Sequence, residues 1–114
     1  MKLLITGGLG FLGSHSIEKY KSENYDIIII DNLSSNVIEP DDPICDGCEV
    51  IVSDILDVDW DRFKNLDMIV HYASPVGPVG VLKHSGRMAG YILDDIYWAI
   101  DGAQKFDCPL IFVS

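Results

Sequence analysis

Positive charge is scarce in this sequence. Its 114 residues include 8 lysines and arginines against 18 aspartates and glutamates, which gives a formal net charge of −10. Nucleic acids and anionic membrane surfaces attract proteins through basic residues, so this balance argues against both as partners. Long apolar runs are also missing, because none approaches the roughly 20 residues of a membrane-spanning helix. The short run Leu3–Ile5 leads straight into glycines and is no signal peptide, so we expect a soluble cytoplasmic protein.

Cysteine is rare as well, with only three residues. This number does not suggest the disulfide framework of a small secreted protein. Cys45 and Cys48 have the CxxC spacing, but a second pair of ligands is missing. His71 and His84 could join them only through an unforeseen fold. Two thiols beside a turn are favoured over a zinc or redox site, so the sequence predicts no metal.

What the chain does contain is a glycine-rich stretch directly after its first apolar run. A strand, a glycine turn and a helix meet here within about ten residues. Gly7 can form the tight turn, Gly10 lets the backbone approach a pyrophosphate, and Gly13 lets the helix pack closely on the strand. The free amides and the positive dipole end of the helix would then face the phosphates. This stretch predicts a dinucleotide site.

A carboxylate follows at the separation that such a site requires. The four isoleucines of Asp26–Ile30 show no alternation, which predicts a strand buried on both faces of a parallel sheet. The strand leads to Asp31, 18 residues beyond Gly13, where a carboxylate would hold the adenosine ribose. Its charge would repel a 2′-phosphate, and no lysine or arginine lies between Lys21 and Arg62. We therefore expect NAD to be preferred over NADP.

The remaining pattern predicts one α/β domain over residues 1–114. It would be an incomplete, doubly wound Rossmann-type sheet of about five parallel strands in the order 3-2-1-4-5. Ligands bind where strand order reverses, so the glycine stretch should face the segment Tyr72–Pro75. The strands are expected at Leu3–Thr6, Asp26–Ile30, Glu49–Val52, Asp67–His71 and Leu110–Val113. The first helix is expected to begin near Gly10 and to carry Leu12, Ile17 and Tyr20 on one side. A short helix is expected at Val58–Phe63, with Trp60 and Phe63 packing inward. The last helix is expected at Tyr91–Phe106.

The spacing Gly7-x-x-Gly10-x-x-Gly13, with Thr6 before it and Asp31-Asn32-Leu33-Ser34 after it, resembles the extended short-chain dehydrogenase/reductase family. That family includes NAD-dependent nucleotide-sugar epimerases and dehydratases, and the resemblance covers the whole chain. It implies NAD as cofactor and, for a full-length parent, a UDP- or dTDP-hexose as substrate. The implied cofactor-binding residues are Gly7, Gly10, Phe11, Leu12, Gly13, Asp31, Asn32, Leu33, Ser34, Asp54, Ile55, Tyr72, Ala73 and Ser74.

The residues that follow the third and fourth strands need further comment. By the resemblance, Asp54 and Ile55 contact the adenine, while a turn or helix-capping acid is the other interpretation of Asp54. Residues 72–74 would line the ribose and nicotinamide side of the cofactor. The run His71-Tyr72-Ala73-Ser74-Pro75 is most similar to UDP-glucuronate decarboxylases. His71 itself is favoured as a core histidine over a catalytic one.

The chain also departs from the family. Its Tyr-x-x-x-Lys acid/base pair and its substrate domain are absent, so we assign no catalytic residue and expect no turnover by this chain alone. Ile92 stands at the usual Asn position and Asp95-Ile96 at the usual Gly-Thr. These departures leave open a non-catalytic NAD-binding sensor or structural module. An NADP-binding regulator is a weaker alternative, because Asn32 rather than a basic residue follows Asp31. The hydrophobic last strand predicts self-association.

Overall fold

The computed structural model describes residues 1–73 and 88–112. Within these ranges one parallel sheet has the strand order β3-β2-β1-β4-β5, so the predicted Rossmann-type order is confirmed. The strands are β1 (Lys2–Thr6), β2 (Asp26–Asp31), β3 (Glu49–Val52), β4 (Met68–His71) and β5 (Leu110–Phe112). The helices are α1 (Phe11–Ser22) and α2 (Met88–Phe106), with 3₁₀ turns at Pro43–Cys45, Ile55–Asp57 and Trp60–Arg62.

Strand β2 lies in the interior, between β1 and β3, and is covered on both faces. All four of its isoleucines are buried, with at most 6% of any one exposed. Ile28 and Ile30 pack in the cluster beneath α2, whereas Ile27 and Ile29 pack in the cluster beneath α1. Their unbroken apolar run therefore reflects helices on the two sides of the sheet, as the sequence predicts.

Of the three residues expected on one side of helix α1, Ile17 and Tyr20 pack on the cluster beneath the helix, whereas Leu12 does not. Leu12 is 52% exposed, while Gly13, Ser14 and Ile17 are buried. The reason is close approach at Gly13: the smallest residue of the first turn faces the protein, and the neighbouring Leu12 is rotated by about 100° toward solvent. The prediction of an inward Leu12 is therefore wrong.

The predicted helix Val58–Phe63 is also wrong, since the structure has only the three-residue 3₁₀ turn Trp60–Arg62 there. Asp59 caps this turn, its carboxylate accepting a hydrogen bond of 2.8 Å from the amide of Asp61. Trp60 and Phe63 are nevertheless buried as expected. Helix α2 begins at Met88, three residues before the predicted start. No helix in residues 1–73 or 88–112 is long and apolar enough to cross a membrane.

Two tryptophans fix α2 on the sheet. The rings of Trp60 and Trp98 are stacked with their centroids 4.1 Å apart. The indole N–H of Trp60 donates to the carbonyl of Trp98 at 2.9 Å, and the indole N–H of Trp98 donates to the carbonyl of Val58 at 3.0 Å. Gly102, one turn further along α2, lies against the Trp60 ring. The middle of α2 is thereby anchored next to the turns that follow β3.

Candidate nucleotide-binding site

The carboxyl ends of β1 and β4 meet where the strand order reverses. Gly7 follows β1 with a φ of +66°, and a Cβ there would lie 3.0 Å from the amide nitrogen of Ala73. The amide of Tyr72 donates to the carbonyl of Thr6 at 3.1 Å. The glycine turn and Tyr72–Ala73 therefore face each other as expected. Ser74 and Pro75, the rest of the expected segment, lie outside the described residues.

The turn and the first residues of α1 form an open cradle of backbone. At Gly13 a Cβ would lie 2.3 Å from the carbonyl oxygen of Gly7, so the helix can approach the turn only because this residue is glycine. At Gly10 the nearest atom to a Cβ, again the Gly7 oxygen, would be 3.4 Å away. The described part of the chain therefore leaves room at Gly10.

Helix α1 begins without a cap from its own side chains. Gly10 is the N-cap residue and makes no side-chain hydrogen bond, and the first turn contains no acidic residue. The first amides of a helix have no partner within the helix, and its dipole makes this end positive. Phe11 and Leu12 flank these amides and are 67% and 52% exposed. The arrangement suits an anionic group beside apolar side chains.

Asp31 ties the glycine turn to the end of β2. One carboxylate oxygen accepts a hydrogen bond of 3.0 Å from the amide of Leu9, and the other accepts one of 2.8 Å from the amide of Leu33. The side chain is 7% exposed. Sequence reasoning missed this role. The bond to Leu33 is an Asx turn and could have been suspected from the sequence, but the bond to Leu9 depends on the fold.

The carboxylate of Asp31 retains acceptor capacity after these two bonds. An ionised carboxylate has about four lone-pair sites, and one bond to each oxygen leaves both oxygens able to accept another. The following turn is closed by Asn32, whose side-chain oxygen accepts a bond of 3.0 Å from the amide of Ser34. Asn32 and Ser34 are exposed, while Leu33 is partly buried with a φ of 62°. The chain thus turns sharply away just after the carboxylate.

Asp54 and Ile55 lie at the carboxyl end of β3, two strands from the glycine turn. Asp54 caps the turn Ile55–Asp57, its carboxylate accepting a bond of 3.1 Å from the amide of Leu56. The capping interpretation is therefore correct, and the exposed carboxylate keeps further acceptor sites. The side chain of Ile55 is 5% exposed and packs beneath α2. Only the backbone of Ile55 is left to face a ligand.

His71 is a core residue. Its side chain is 1% exposed, and its ring stacks on Phe112 of β5 at a centroid distance of 5.8 Å. The amide of Ala73 donates to the hydroxyl oxygen of Thr6 at 3.1 Å, and the same oxygen lies 2.8 Å from Nδ1 of His71. Burial lowers the pKa of His71 to about 4, so the imidazole is neutral at pH 7. Its Nε2 has no partner among the described residues.

The side chain of Tyr72 reaches the α1 side of the sheet. Its hydroxyl lies 2.6 Å from the hydroxyl of Ser16, which itself donates to the carbonyl of Leu12 at 3.1 Å. Tyr72 is therefore the donor to Ser16. This contact connects the end of β4 to the first turns of α1 and adds a second tie, besides Gly7, across the crossover.

A second acidic residue, Asp95 on α2, lies near Asp54. Burial, and to a smaller extent the negative charges of Asp54 and Asp94, raise the pKa of Asp95 to about 6. The side chain of Asp95 is partly buried. Its carboxylate is thus held in an unfavourable environment at neutral pH.

We expect Asp95→Asn to stabilise the protein at neutral pH. Between the unfolded pKa of 3.8 and the folded value of about 6, the folded state binds more protons, so the stability that Asp95 contributes falls as pH rises. After allowance for solvent screening, the variant should gain about 1 kcal/mol at pH 7.5 and close to nothing below pH 4. Urea unfolding of both proteins across this range measures the difference. An equal gain in stability at pH 7.5 and below pH 4 would show that the charge of Asp95 does not destabilise the folded protein.

A family model for the NAD-dependent epimerases and dehydratases matches residues 3–87. The chain belongs to the NAD-dependent epimerase/dehydratase family. A provisionally named UDP-glucose 4-epimerase of Methanocaldococcus jannaschii is 32% identical over 94% of this chain. A UDP-N-acetyl-alpha-D-glucosaminuronate decarboxylase of Bacillus cytotoxicus is 25% identical over 99% of it. A crystal structure of a UDP-galactose 4-epimerase covers the whole chain with a TM-score of 0.80 and 26% identity.

These members of the epimerase/dehydratase family are considerably longer. The chain spans 40% of the M. jannaschii relative, 36% of the decarboxylase and 38% of the crystallised epimerase. The predicted likeness to decarboxylases is thus found in a relative of lower identity than the epimerase. The Ser-Pro pair on which that likeness rested lies outside the described residues.

Proposed function

We propose that this chain is the NAD-binding portion of a nucleotide-sugar epimerase-like protein and that residues 1–114 form its Rossmann domain. The observation that carries the proposal is the backbone cradle at Gly10, where the described residues leave open the space beside the Gly10 backbone. This cradle lies at the positive end of α1 and adjoins the buried carboxylate of Asp31 through its bond to Leu9. A pyrophosphate and a ribose are the groups that such a pair suits.

In this proposal each element holds one part of NAD. Gly7, Gly10 and Gly13 shape the turn for the pyrophosphate, and Phe11 and Leu12 border it. The carboxylate of Asp31 accepts bonds from the ribose hydroxyls, and the turn Asn32–Ser34 lies beside it. Asp54 and the backbone of Ile55 contact the adenine. Residues 72–74 line the nicotinamide side, where bound NAD would supply the hydride acceptor for a sugar.

For a full-length parent we propose a UDP- or dTDP-hexose as substrate. The relatives are named for UDP-sugars, and a 4-epimerase is favoured over a decarboxylase because the epimerase relative is the more similar in sequence. The chain contains no Tyr-x-x-x-Lys. We therefore assign it cofactor binding and no chemical step.

A non-catalytic NAD-binding module is the second candidate. The observation in its favour is the pair of departures on α2, with Ile92 at the usual Asn position and Asp95-Ile96 at the usual Gly-Thr. The reading frame beyond Ser114 discriminates between the two. A Tyr-x-x-x-Lys motif there would support the enzyme, and its absence would support the module.

We expect the chain to bind NAD more tightly than NADP. A 2′-phosphate would lie near the carboxylate of Asp31, and like charges close to a protein surface repel by about 1–4 kcal/mol. Titration calorimetry with the two dinucleotides measures the difference. Equal or tighter binding of NADP would overturn the assignment of Asp31 to the ribose.

Asp31→Asn provides the matched control. It removes the charge but keeps the shape, so discrimination between NAD and NADP should shrink. The amide group can accept through only one of its two polar atoms, and one of the bonds to Leu9 and Leu33 is lost, which should lower stability by about 1–3 kcal/mol. Circular dichroism must therefore show a folded variant before its affinities are compared.

A further inference from the structure

Cys45 and Cys48 stand at the two ends of one tight turn. The amide of Cys48 donates to the carbonyl of Cys45 at 2.9 Å. Between them, Asp46 has φ and ψ of −59° and 129°, and Gly47 has a φ of +82°. These values describe a type II turn, which brings its first and last Cα atoms within about 7 Å. A disulfide requires Cα atoms about 4.4–6.8 Å apart, so the turn supplies the needed approach.

The two thiols also lie on the same side of the sheet. Both cysteines are free, and both pack on the hydrophobic cluster beneath α1. Cys45 is 6% exposed, while Cys48 is partly exposed. Cys108 instead packs on the cluster beneath α2, on the opposite face of the sheet. The fold therefore pairs Cys45 with Cys48 and keeps Cys108 away from both.

Lys21 holds this turn in place. Its ammonium group, in the last turn of α1, donates to the carbonyl of Ile44 at 2.8 Å and to the carbonyl of Asp46 at 2.9 Å. The two acceptors flank Cys45 in the chain. The backbone on both sides of this cysteine is thus fixed before any bond between the sulfurs is made.

We propose that Cys45 and Cys48 form a reversible disulfide by exchange with a small-molecule disulfide such as oxidised glutathione. The thiolate of the more accessible Cys48 attacks a glutathione sulfur, forms a mixed disulfide and releases one glutathione thiolate. The thiolate of Cys45 then attacks the sulfur of Cys48 and releases the second. The protein loses two electrons and two protons, and one oxidised glutathione becomes two reduced molecules.

The surroundings of the thiols favour a redox pair over a metal site. Burial raises the pKa of both thiols; the positive charge of Lys21 partly offsets this, whereas Asp46, and for Cys45 also Asp42, adds to it. The reduced form is therefore not stabilised as a thiolate, which favours the disulfide at equilibrium, while exchange is slow at neutral pH and faster at alkaline pH. Among residues 1–73 and 88–112 no three potential metal ligands lie together.

The test incubates the 114-residue chain with oxidised and reduced glutathione at mildly alkaline pH, followed by acid quenching, intact mass and peptide mapping. We expect the loss of two hydrogen masses, a linked Cys45–Cys48 peptide and reversal by dithiothreitol. Cys45→Ser should retain glutathione on Cys48, because the resolving thiol is missing. Cys108→Ser should behave like the wild type.

Measuring the same glutathione exchange equilibrium in urea shows whether the folded turn favours the Cys45–Cys48 disulfide. The equilibrium constant for closing the Cys45–Cys48 disulfide should be roughly tenfold or more larger in the folded chain, as judged by circular dichroism, than in the unfolded chain. An equal or smaller constant in the folded chain would overturn the proposal. So would thiols that stay unreacted, a bond that maps to Cys108, or wild-type protein that retains glutathione as Cys45→Ser does.

Discussion

Gly10→Val should abolish NAD binding while the protein stays folded. A Cβ at this position would lie no closer than 3.4 Å to any atom of residues 1–73 and 88–112, and the backbone φ of −78° is accessible to any residue. The added side chain therefore projects into the cradle that we assign to the pyrophosphate. Titration calorimetry measures the loss of binding, and far-UV circular dichroism with thermal unfolding checks the fold.

Gly90→Val is the matched control for this variant. Gly90 lies in α2 and is exposed, and no described atom lies within 4 Å of a Cβ there. The same substitution should leave NAD affinity unchanged. A folded Gly10→Val protein with wild-type affinity would show that the glycine stretch is only a turn.

Gly13→Ala should behave in the opposite way to Gly10→Val. Its Cβ would lie 2.3 Å from the Gly7 oxygen and 2.6 Å from the Cα of Gly8, and both are backbone atoms that cannot swing aside. Overpacking of this kind typically costs about 1–3 kcal/mol, so the free energy of unfolding should fall before any ligand is added. The substitution at Gly10 thus tests a contact with the ligand, and the substitution at Gly13 tests a contact within the protein.

The elements that sequence reasoning predicted correctly are those whose pattern is local. The four consecutive isoleucines of β2 indicate a strand that is buried on both faces of the sheet. The three glycines after β1 indicate a tight turn that leads into a helix. From these, the parallel sheet follows by general rules of α/β folds, and the same rules predict a site at the crossover. The strand order can therefore be predicted without knowing any long-range side-chain contact.

What escaped prediction depends on contacts between distant parts of the chain. The bond from Leu9 to Asp31 joins residues 22 positions apart. The indole bonds between the Trp60 turn and Trp98 join residues 38 and 40 positions apart. Asp95 approaches Asp54 because the tryptophans hold α2 beside the turns after β3. No periodicity in the sequence encodes these pairings.

Gly102→Ala should be strongly destabilising. A Cβ there would lie 2.2–2.4 Å from three atoms of the Trp60 ring. That ring cannot easily retreat, because it stacks on Trp98 at 4.1 Å and its N–H bonds the Trp98 carbonyl at 2.9 Å. We expect a loss of about 3 kcal/mol in the free energy of unfolding, measured by urea denaturation.

Two further variants test the cause of this loss. Gly90→Ala, in the same helix but with no described atom within 4 Å of its Cβ, should instead stabilise the protein by about 0.5–1 kcal/mol, because alanine is the better helix former. Combining Gly102→Ala with Trp60→Leu should cost less than the sum of the two single changes, since the smaller side chain removes the clash. Strict additivity, or a Gly102→Ala protein as stable as Gly90→Ala, would mean that the Trp60 ring does not fill the space beside Gly102.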